Sequence, residues 1–154
     1  MTSHDEPGAT TRTLMGSCLC GCVAYEARGP WRDVVNCYCE QCRKSSGNFV
    51  SATAVFESRL KLLRGDGLAW YGNDLAKRGF CRECGSSLFW VPLPSDGLIR
   101  IMAGCLQPDN GLRVAAHIFV NERSDFHELA SSAAQYTDGS HPVTLPEKEQ
   151  RLSR

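Results

Sequence analysis

Residues 81–85 read Cys81-Arg82-Glu83-Cys84-Gly85, so two thiols stand three positions apart, directly before a glycine. A zinc ion held by four thiolates needs a tetrahedron with Zn–S bonds of about 2.3 Å, and a Cys-x-x-Cys turn offers two of these ligands. Gly85 can adopt the positive φ that such a turn often needs. The motif therefore predicts half of a metal site and requires a second pair of ligands elsewhere in the chain.

A second pair of thiols lies near the start of the chain, in Gly16-Ser17-Cys18-Leu19-Cys20-Gly21-Cys22. Cys18 and Cys20, which lie between two glycines, are the natural complement to the first pair. A site built from both segments would tie the N-terminal strand to the middle of the chain. Because residues 18, 20 and 22 share one face of an extended strand, Cys22 remains an alternative to Cys18 or Cys20.

A third group of thiols is contained in Cys37-Tyr38-Cys39-Glu40-Gln41-Cys42. Three protein ligands with an open fourth position are typical of catalytic zinc sites. An all-thiolate group favours a soft metal and a soft fourth ligand, such as a substrate thiol, and a thiol bound to zinc loses its proton. The alternative is a structural site, with Cys22, Cys105 or His117 as the fourth ligand.

Two interpretations without a metal compete with this one. A thioredoxin-like redox pair at Cys81 and Cys84 would need a βαβ pattern around it, and the sequence has none. Buried cysteines that pack as small apolar residues are not expected in tight groups, and only the isolated Cys105 fits that description. Of the histidines, His117 lies in an apolar run and is predicted to be a core residue, while His127 is predicted to face solvent.

The composition excludes several classes of protein. The chain has 154 residues, 42% of them hydrophobic, with 17 basic and 17 acidic side chains, which suits one domain with its own core. The balanced charge argues against duplex DNA or an anionic membrane as a partner. No apolar run approaches the roughly 20 residues of a membrane span.

The two ends of the chain and its cysteine count indicate its organisation and location. Residues 1–12 and 137–154 lack apolar periodicity and are predicted to be mobile tails on a zinc-binding domain of residues 13–136. The nine cysteines are an odd number, and the polar N-terminal residues contain no apolar leader segment. A reduced, cytoplasmic protein is therefore expected.

Short apolar stretches alternate with glycine and proline, which is typical of a mainly β domain. Strands are expected at 22–27, 50–56, 60–64, 68–71, 87–91, 98–102 and 116–120. Gly65-Asp66-Gly67 is expected to join the third and fourth of these strands as a hairpin. Helices are few: a turn is expected after Cys39, and one short helix is expected to start at Asp125, with Glu128 completing its capping box.

Three segments carry a family resemblance: Gly16-Ser17-Cys18-Leu19-Cys20-Gly21, Cys37-x-Cys39-x-x-Cys42-Arg43-Lys44-x-x-Gly47 and Arg78-x-Phe80-Cys81-x-x-Cys84-Gly85. In this order and spacing they resemble the glutathione-dependent formaldehyde-activating enzyme family, which is also called the centromere-protein-V family. The resemblance extends over residues 14–136. One departure is Tyr38, which stands where the family commonly has histidine.

The resemblance implies a β-tent fold, in which small antiparallel sheets surround a structural zinc site. It implies two zinc ions, a structural one held by Cys18, Cys20, Cys81 and Cys84, and a catalytic one held by Cys37, Cys39 and Cys42. It further implies that glutathione adds to formaldehyde to give S-hydroxymethylglutathione, a reaction classed in reverse as that of a carbon–sulfur lyase. The glutathione sulfur would take the open zinc position.

A non-catalytic function is the alternative. Zinc would then build a binding module for a protein or a nucleic acid, with Lys77, Arg78 and Arg82 beside the Cys81 turn and Arg43-Lys44 as the contacts. A basic cluster on a neutral domain is usually a solvated face, so nucleic acid is not the expected partner. Thiol redox chemistry or metal buffering at the three-cysteine group is a third hypothesis.

Overall fold

Short β-strands make up most of the part of the chain that the computed structural model describes, residues 12–130 and 132–145. The strands are β1 (Thr13–Ser17), β2 (Ala24–Arg28), β3 (Trp31–Cys37), β4 (Val50–Phe56), β5 (Leu60–Arg64), β6 (Leu68–Gly72), β7 (Ala76–Cys81), β8 (Ser87–Pro92), β9 (Leu98–Met102), β10 (Val114–Ile118) and β11 (Ala134–Gln135). One α-helix, α1, spans Glu40–Ser46, and 3₁₀ turns cover Glu57–Arg59, Ala103–Cys105 and Val120–Glu122. The mainly β prediction is confirmed.

The strands form two sheets. β1, β2 and β5 make a three-stranded antiparallel sheet in the order β1-β2-β5. The other strands form a large sheet in the order β11-β10-β3-β4-β9-β8-β7-β6. Within it β10 runs parallel to both β3 and β11, and the remaining neighbours are antiparallel. The larger sheet is therefore mixed, and it supplies the broad surface on which a site can be built.

The two faces of the large sheet have different roles. Ile99 and Ile101 of β9 belong to the same buried apolar cluster as Tyr25 of the small sheet. Arg100 and Met102, which alternate with them along β9, line a cavity on the opposite face. Because successive side chains of a strand point to opposite faces, one face of the sheet stabilises the domain and the other is free to form a site.

The small sheet closes tightly around Tyr25. This side chain is fully buried and meets Phe89 of the large sheet edge-to-face, with ring centroids 4.9 Å apart. Gly16 of β1 lies directly opposite Tyr25 in the register, and a Cβ at Gly16 would collide with the Tyr25 hydroxyl oxygen. This close approach requires glycine, and it explains why a glycine stands at position 16, just before Cys18 and Cys20.

The hairpin predicted at Gly65-Asp66-Gly67 is wrong, although both of its strands exist. β5 pairs with β2 in the small sheet, whereas β6 pairs with β7 in the large sheet. The turn therefore carries the chain from one sheet to the other. Gly67 sits at the crossing, where an added Cβ would lie 3.0 Å from the side chains of Cys22 and Cys81. A turn motif predicts only that the chain changes direction. The partner of each strand depends on which apolar face it buries against distant parts of the chain.

The helix predicted to start at Asp125 is also wrong, and so is the exposure predicted for His127. Residues 125–130 contain a turn and irregular backbone but no helix. His127 is only 7% exposed. Its Nδ1 accepts the Ser124 N–H at 3.1 Å, and its Nε2 lies 2.8 Å from the Asn48 Oδ1. The contact with Asn48 ties the segment to the loop after α1, and the bond from Ser124 fixes the local turn, so a buried side chain replaces the expected exposed position on a helix.

Replacement of His127 by alanine is expected to destabilise the domain by about 2 kcal/mol. The change removes two hydrogen bonds and leaves the polar groups of Ser124 and Asn48 without this partner. Urea denaturation followed by circular dichroism would measure the loss. Glu128→Ala, at an exposed neighbouring position, is the control and should change the free energy of unfolding by less than about 0.5 kcal/mol. Equal stability of the two variants would contradict the anchoring role of the imidazole.

The predicted tails lie only partly within the described residues. Residues 1–11 and 146–154 fall outside them. Residues 137–145 are irregular but contact the domain: the Phe119 N–H donates to the Asp138 carbonyl at 3.4 Å, and Leu145 is buried. In the described part of the chain, no helix is long and apolar enough to cross a membrane.

Candidate metal centres and the adjoining cavity

Four thiols converge where the two sheets meet. Cys18 and Cys20 follow β1, Cys81 ends β7, Cys84 lies in the next turn, and their sulfurs all lie within 4.8 Å of one another. The sulfurs of Cys18 and Cys20 are 3.6 Å apart, and those of Cys20 and Cys81 are 3.8 Å apart. A tetrahedron with Zn–S bonds of about 2.3 Å has edges of about 3.8 Å. The four free thiols therefore fit a zinc ion, and their separations are far longer than a disulfide bond.

Hydrogen bonds fix the turn that carries Cys81 and Cys84. Gly85 has a φ of 76°, as the motif predicts, and its N–H donates to the Cys81 carbonyl at 2.8 Å. The Ser86 hydroxyl accepts the Leu19 N–H at 3.0 Å and lies 3.2 Å from the Cys84 sulfur. This hydroxyl is the main cause that lowers the pKa of Cys84 to about 5. Sequence reasoning missed Ser86, because its role depends on a partner 67 residues away.

The two other cysteines near this group stay outside it. Cys22 and Cys105 are partly buried and pack against the apolar core. The Cys105 thiol donates to the Ser87 carbonyl at 3.2 Å. The grouping of sulfurs therefore contains Cys18 and Cys20 and leaves out Cys22, the alternative that the sequence left open.

Three further thiols form a second group at the start of the helix. Cys37 is the last residue of β3, Cys39 is the N-cap of α1, and Cys42 lies in its first turn. The Cys39 sulfur accepts the Cys42 N–H at 3.4 Å, as a serine or aspartate cap would. Gly47, with a φ of 79°, ends the helix. The turn expected after Cys39 is thus a short α-helix, and it brings the three sulfurs within 4.8 Å of one another.

The three thiols hold their protons unequally. Hydrogen bonds from the side chains of Cys37 and Cys42, aided by backbone N–H groups, lower the pKa of Cys39 to about 2. Cys39 in turn raises the pKa of Cys37 to about 12, and Cys37 and Cys39 raise the pKa of Cys42. At neutral pH one sulfur is therefore a thiolate, and the other two would release their protons to a bound cation. Metal affinity at this group should accordingly fall as the pH is lowered.

The three-thiol group opens onto a cavity of about 870 Å³ on the outer face of the large sheet. All three thiols line this cavity, together with apolar residues that include Phe49, Met102 and Phe119. None of the four thiols of the other group lines it. The volume lies in the range of about 300–1,000 Å³ that is usual for small-molecule sites. The four-thiol group thus lies outside this cavity, and the three-thiol group faces a space large enough for a substrate.

Tyr38 lies between two cysteines of the second group but does not line the cavity. It is 1% exposed, and its hydroxyl oxygen is 3.0 Å from His117 Nδ1. His117 is itself 2% exposed, which confirms the predicted core position, and burial lowers its pKa. The position at which this sequence departs from the family pattern is therefore a core contact behind the thiols.

A comparison with models of known protein families matches residues 13–122 to the one described as glutathione-dependent formaldehyde-activating enzyme. The chain belongs to this family. The matched segment contains both thiol groups and all strands from β1 to β10. The thiol clusters therefore lie in the part of the chain that is shared with other formaldehyde-activating enzyme family members.

A solved structure provides a second comparison for this family member. The crystal structure of a Rhodobacter sphaeroides protein is similar to it, with a TM-score of 0.51 and 28% sequence identity. The similarity covers 63% of this chain and 91% of that chain. It agrees with the fold described above and extends over most of the other protein.

Proposed function

We propose that this protein is a zinc-dependent enzyme of the carbon–sulfur lyase type, which interconverts glutathione and formaldehyde with S-hydroxymethylglutathione. In the forward direction the thiol sulfur forms a bond to the carbonyl carbon, the π electron pair moves to the oxygen, and that oxygen takes the proton that the sulfur gave up. One observation carries the proposal: three thiols line a cavity of small-molecule size, whereas the other four meet outside that cavity, where the two sheets join.

The two groups would have different roles. We assign a structural zinc ion to Cys18, Cys20, Cys81 and Cys84, and a catalytic zinc ion to Cys37, Cys39 and Cys42. A zinc ion with three thiolate ligands supplies acidity to a thiol in its fourth position, which makes that thiol a nucleophilic thiolate at neutral pH.

The side chains around the three-thiol group suit this chemistry. α1 holds two of its thiols on one turn of helix, so the donor positions are fixed before a substrate arrives. The apolar side chains of Phe49 and Phe119 on the cavity wall limit the access of water. Exclusion of water strengthens the polar interactions that hold the reactants in the cavity.

We expect the zinc-loaded protein to accelerate the exchange between glutathione and its formaldehyde adduct by at least about tenfold over the spontaneous reaction. Exchange NMR of glutathione with formaldehyde, with and without protein, measures this directly, since the uncatalysed rate is the baseline. Zinc content must be determined on the same sample. No acceleration with both sites loaded would contradict the proposed activity and leave the fold and the metal sites untouched.

No observation favours the non-catalytic binding module. Two of the basic side chains on which it rests, Lys77 and Arg82, are engaged within the domain. The Lys77 ammonium lies 4.8 Å from the centroid of the Trp70 ring. The Arg82 guanidinium donates to the Asp66 carbonyl at 3.1 Å, and it fixes the crossing between the sheets.

A further inference from the structure

Three arginines of the cavity wall stand in one row across the large sheet. In the strand register, Ala54 of β4 lies between Arg32 of β3 and Arg100 of β9. Trp90 of β8 lies between Arg100 and Arg78 of β7. Arg32, Arg100 and Arg78, here called the arginine row, all line the cavity that contains the three-thiol group. No aspartate or glutamate is found among the described residues that line it. The cavity therefore carries an excess of positive charge.

Two members of the row already have side-chain partners. Arg100 donates to both carboxylate oxygens of Asp96 at 2.7 Å, which neutralises its charge. Arg78 is half-buried, and its Nη2 donates to the Gln41 side-chain oxygen at 3.0 Å. Each of these two guanidinium groups therefore has a side-chain hydrogen-bond partner.

Arg32 is different, because it is a buried cation without a counterion. It is 7% exposed, and no ion pair is found for it among residues 12–130 and 132–145. Its Nη2 donates to the Ala52 carbonyl at 3.0 Å, and its Nε is buried without a hydrogen-bond partner. Burial lowers the pKa of Arg32 to about 10, so the group stays charged at neutral pH. An unpaired buried charge is costly to a folded protein, and its retention calls for an anion.

His141 adds a second unsatisfied group to the same cavity. It lines the cavity wall, and its Nδ1 is buried without a partner among the described residues. Burial, together with the charges of Arg32 and Arg100, lowers its pKa. The ring is therefore neutral at pH 7, and its Nδ1 donates to an anion in the tautomer that carries the proton on that nitrogen.

We propose that Arg32 and His141 bind a carboxylate of the thiol substrate, and so select thiols that carry a carboxylate remote from the sulfur. The inference rests on the proposed function and names the substrate class for the same cavity. A carboxylate matches the planar guanidinium in shape and in hydrogen-bonding geometry. One negative charge also matches the one guanidinium of the row that is buried without an ion pair, since Asp96 neutralises Arg100 and Arg78 is only half-buried.

The distance between the two ends of the cavity limits the size of the substrate. Arg32 and Cys37 are both on β3 and lie opposite Ala54 and Val50 of β4, so their backbones are about 13 Å apart. The Arg32 guanidinium donates to the Ala52 carbonyl, halfway between these two positions, which leaves about 7 Å along the strand. Both side chains line the cavity between them. A thiol that reaches both must therefore carry its carboxylate several bonds away from the sulfur.

S-Methylglutathione tests this site without relying on catalysis, because its capped sulfur cannot become a thiolate. Isothermal titration should show that the zinc-loaded protein binds it, and that amidation of one of its two carboxylates weakens binding about tenfold or more. Arg32→Met should weaken the binding of S-methylglutathione by a similar factor. The variant should also bind S-methylglutathione and its weaker-binding monoamide equally well. His141→Ala should cause a smaller loss, about threefold.

The matched control is Arg28→Met, an exposed arginine of the small sheet that does not line the cavity; this variant should bind as the parent protein does. A second readout separates a binding role from a structural one. Arg32→Met should raise the unligated Tm by about 2–4 °C, because it removes an unpaired buried charge. A structural arginine would instead lower the Tm when replaced.

The outcomes separate this inference from the proposed function. Equal binding of S-methylglutathione and both of its monoamides, or unchanged binding in Arg32→Met, would overturn the carboxylate site even if glutathione turnover is accelerated. Should Arg32→Met fail to fold, His141→Ala and the amide series decide the question alone. Charge-dependent binding without any turnover would support the carboxylate site and count against the proposed reaction.

Discussion

In the Cys84→Ser variant we expect the domain to lose its cooperative unfolding transition, or to unfold at least about 20 °C below the parent protein. Cys84 is one of four mutually close thiols that join the loop after β1 to the turn after β7. Structural zinc contributes about 10–16 kcal/mol of apparent binding free energy in small zinc-binding peptides, which is as large as the whole stability of a typical domain. Thermal unfolding followed by circular dichroism measures the effect, with zinc content determined by native mass spectrometry.

Cys105→Ser is the matched control for this experiment. Cys105 is a thiol near the same core, and its hydrogen bond to the Ser87 carbonyl can be made equally well by a serine hydroxyl. It lies outside the four-thiol group, so its replacement should leave the zinc content unchanged and shift the Tm by only a few degrees. A Cys84→Ser protein with the parent Tm and the parent zinc content would show that the four thiols do not hold a structural metal.

Cys42→Ser is expected to abolish the acceleration of glutathione–formaldehyde exchange, a loss of at least about 100-fold, while the domain still unfolds cooperatively. Cys42 lies in the first turn of a helix that borders the cavity, and none of the buried residues of the domain belongs to that helix. The change removes one of three donors at the position where the substrate thiol would be activated. Exchange NMR gives the rate, and circular dichroism on the same sample gives the Tm.

Cys22→Ser is the control for catalysis, because Cys22 is a thiol outside both groups and outside the cavity lining. It should retain the parent rate. The comparison of Cys42→Ser with Cys84→Ser tests the separation of roles. An equal loss of thermal stability in both variants would contradict the assignment of a structural role to one thiol group and a catalytic role to the other.

The thiol groups were predictable because they depend on short spacings. Cys81-x-x-Cys84-Gly85 encodes its own turn, and Gly85 takes the positive φ that the motif requires. The spacing Cys37-x-Cys39-x-x-Cys42 places three sulfurs together as soon as a strand ends and a helix begins. The pairing of the first motif with Cys18 and Cys20 was inferred from the need for four ligands, and the structure places these four sulfurs together.

Two predictions failed where a local signal met a long-range contact. The Gly65-Asp66-Gly67 turn predicts a hairpin, but β5 and β6 join different sheets. The helix from Asp125 had a plausible capping pattern, yet the segment is held by the buried His127 and its bond to Asn48. In both cases the burial of side chains against distant parts of the chain outweighed a preference worth a fraction of a kcal/mol per residue.

The cavity wall shows most clearly what depends on tertiary structure. Arg32, Arg78 and Arg100 are scattered through the sequence, and no spacing links them. They stand in one row because the strand register aligns β3, β4, β9, β8 and β7. Whether each has a counterion is likewise a property of the folded chain: Asp96 reaches Arg100 and leaves Arg32 unpaired.

The sequence by itself determined the donor chemistry, the mainly β class and the family, because thiol spacing and strand alternation act over a few residues. Only the tertiary structure decided which thiol group faces the cavity and which lies outside it, and what charge lines that cavity. These properties depend on strand order and register, which are set by the burial of one face of each strand against residues far along the chain.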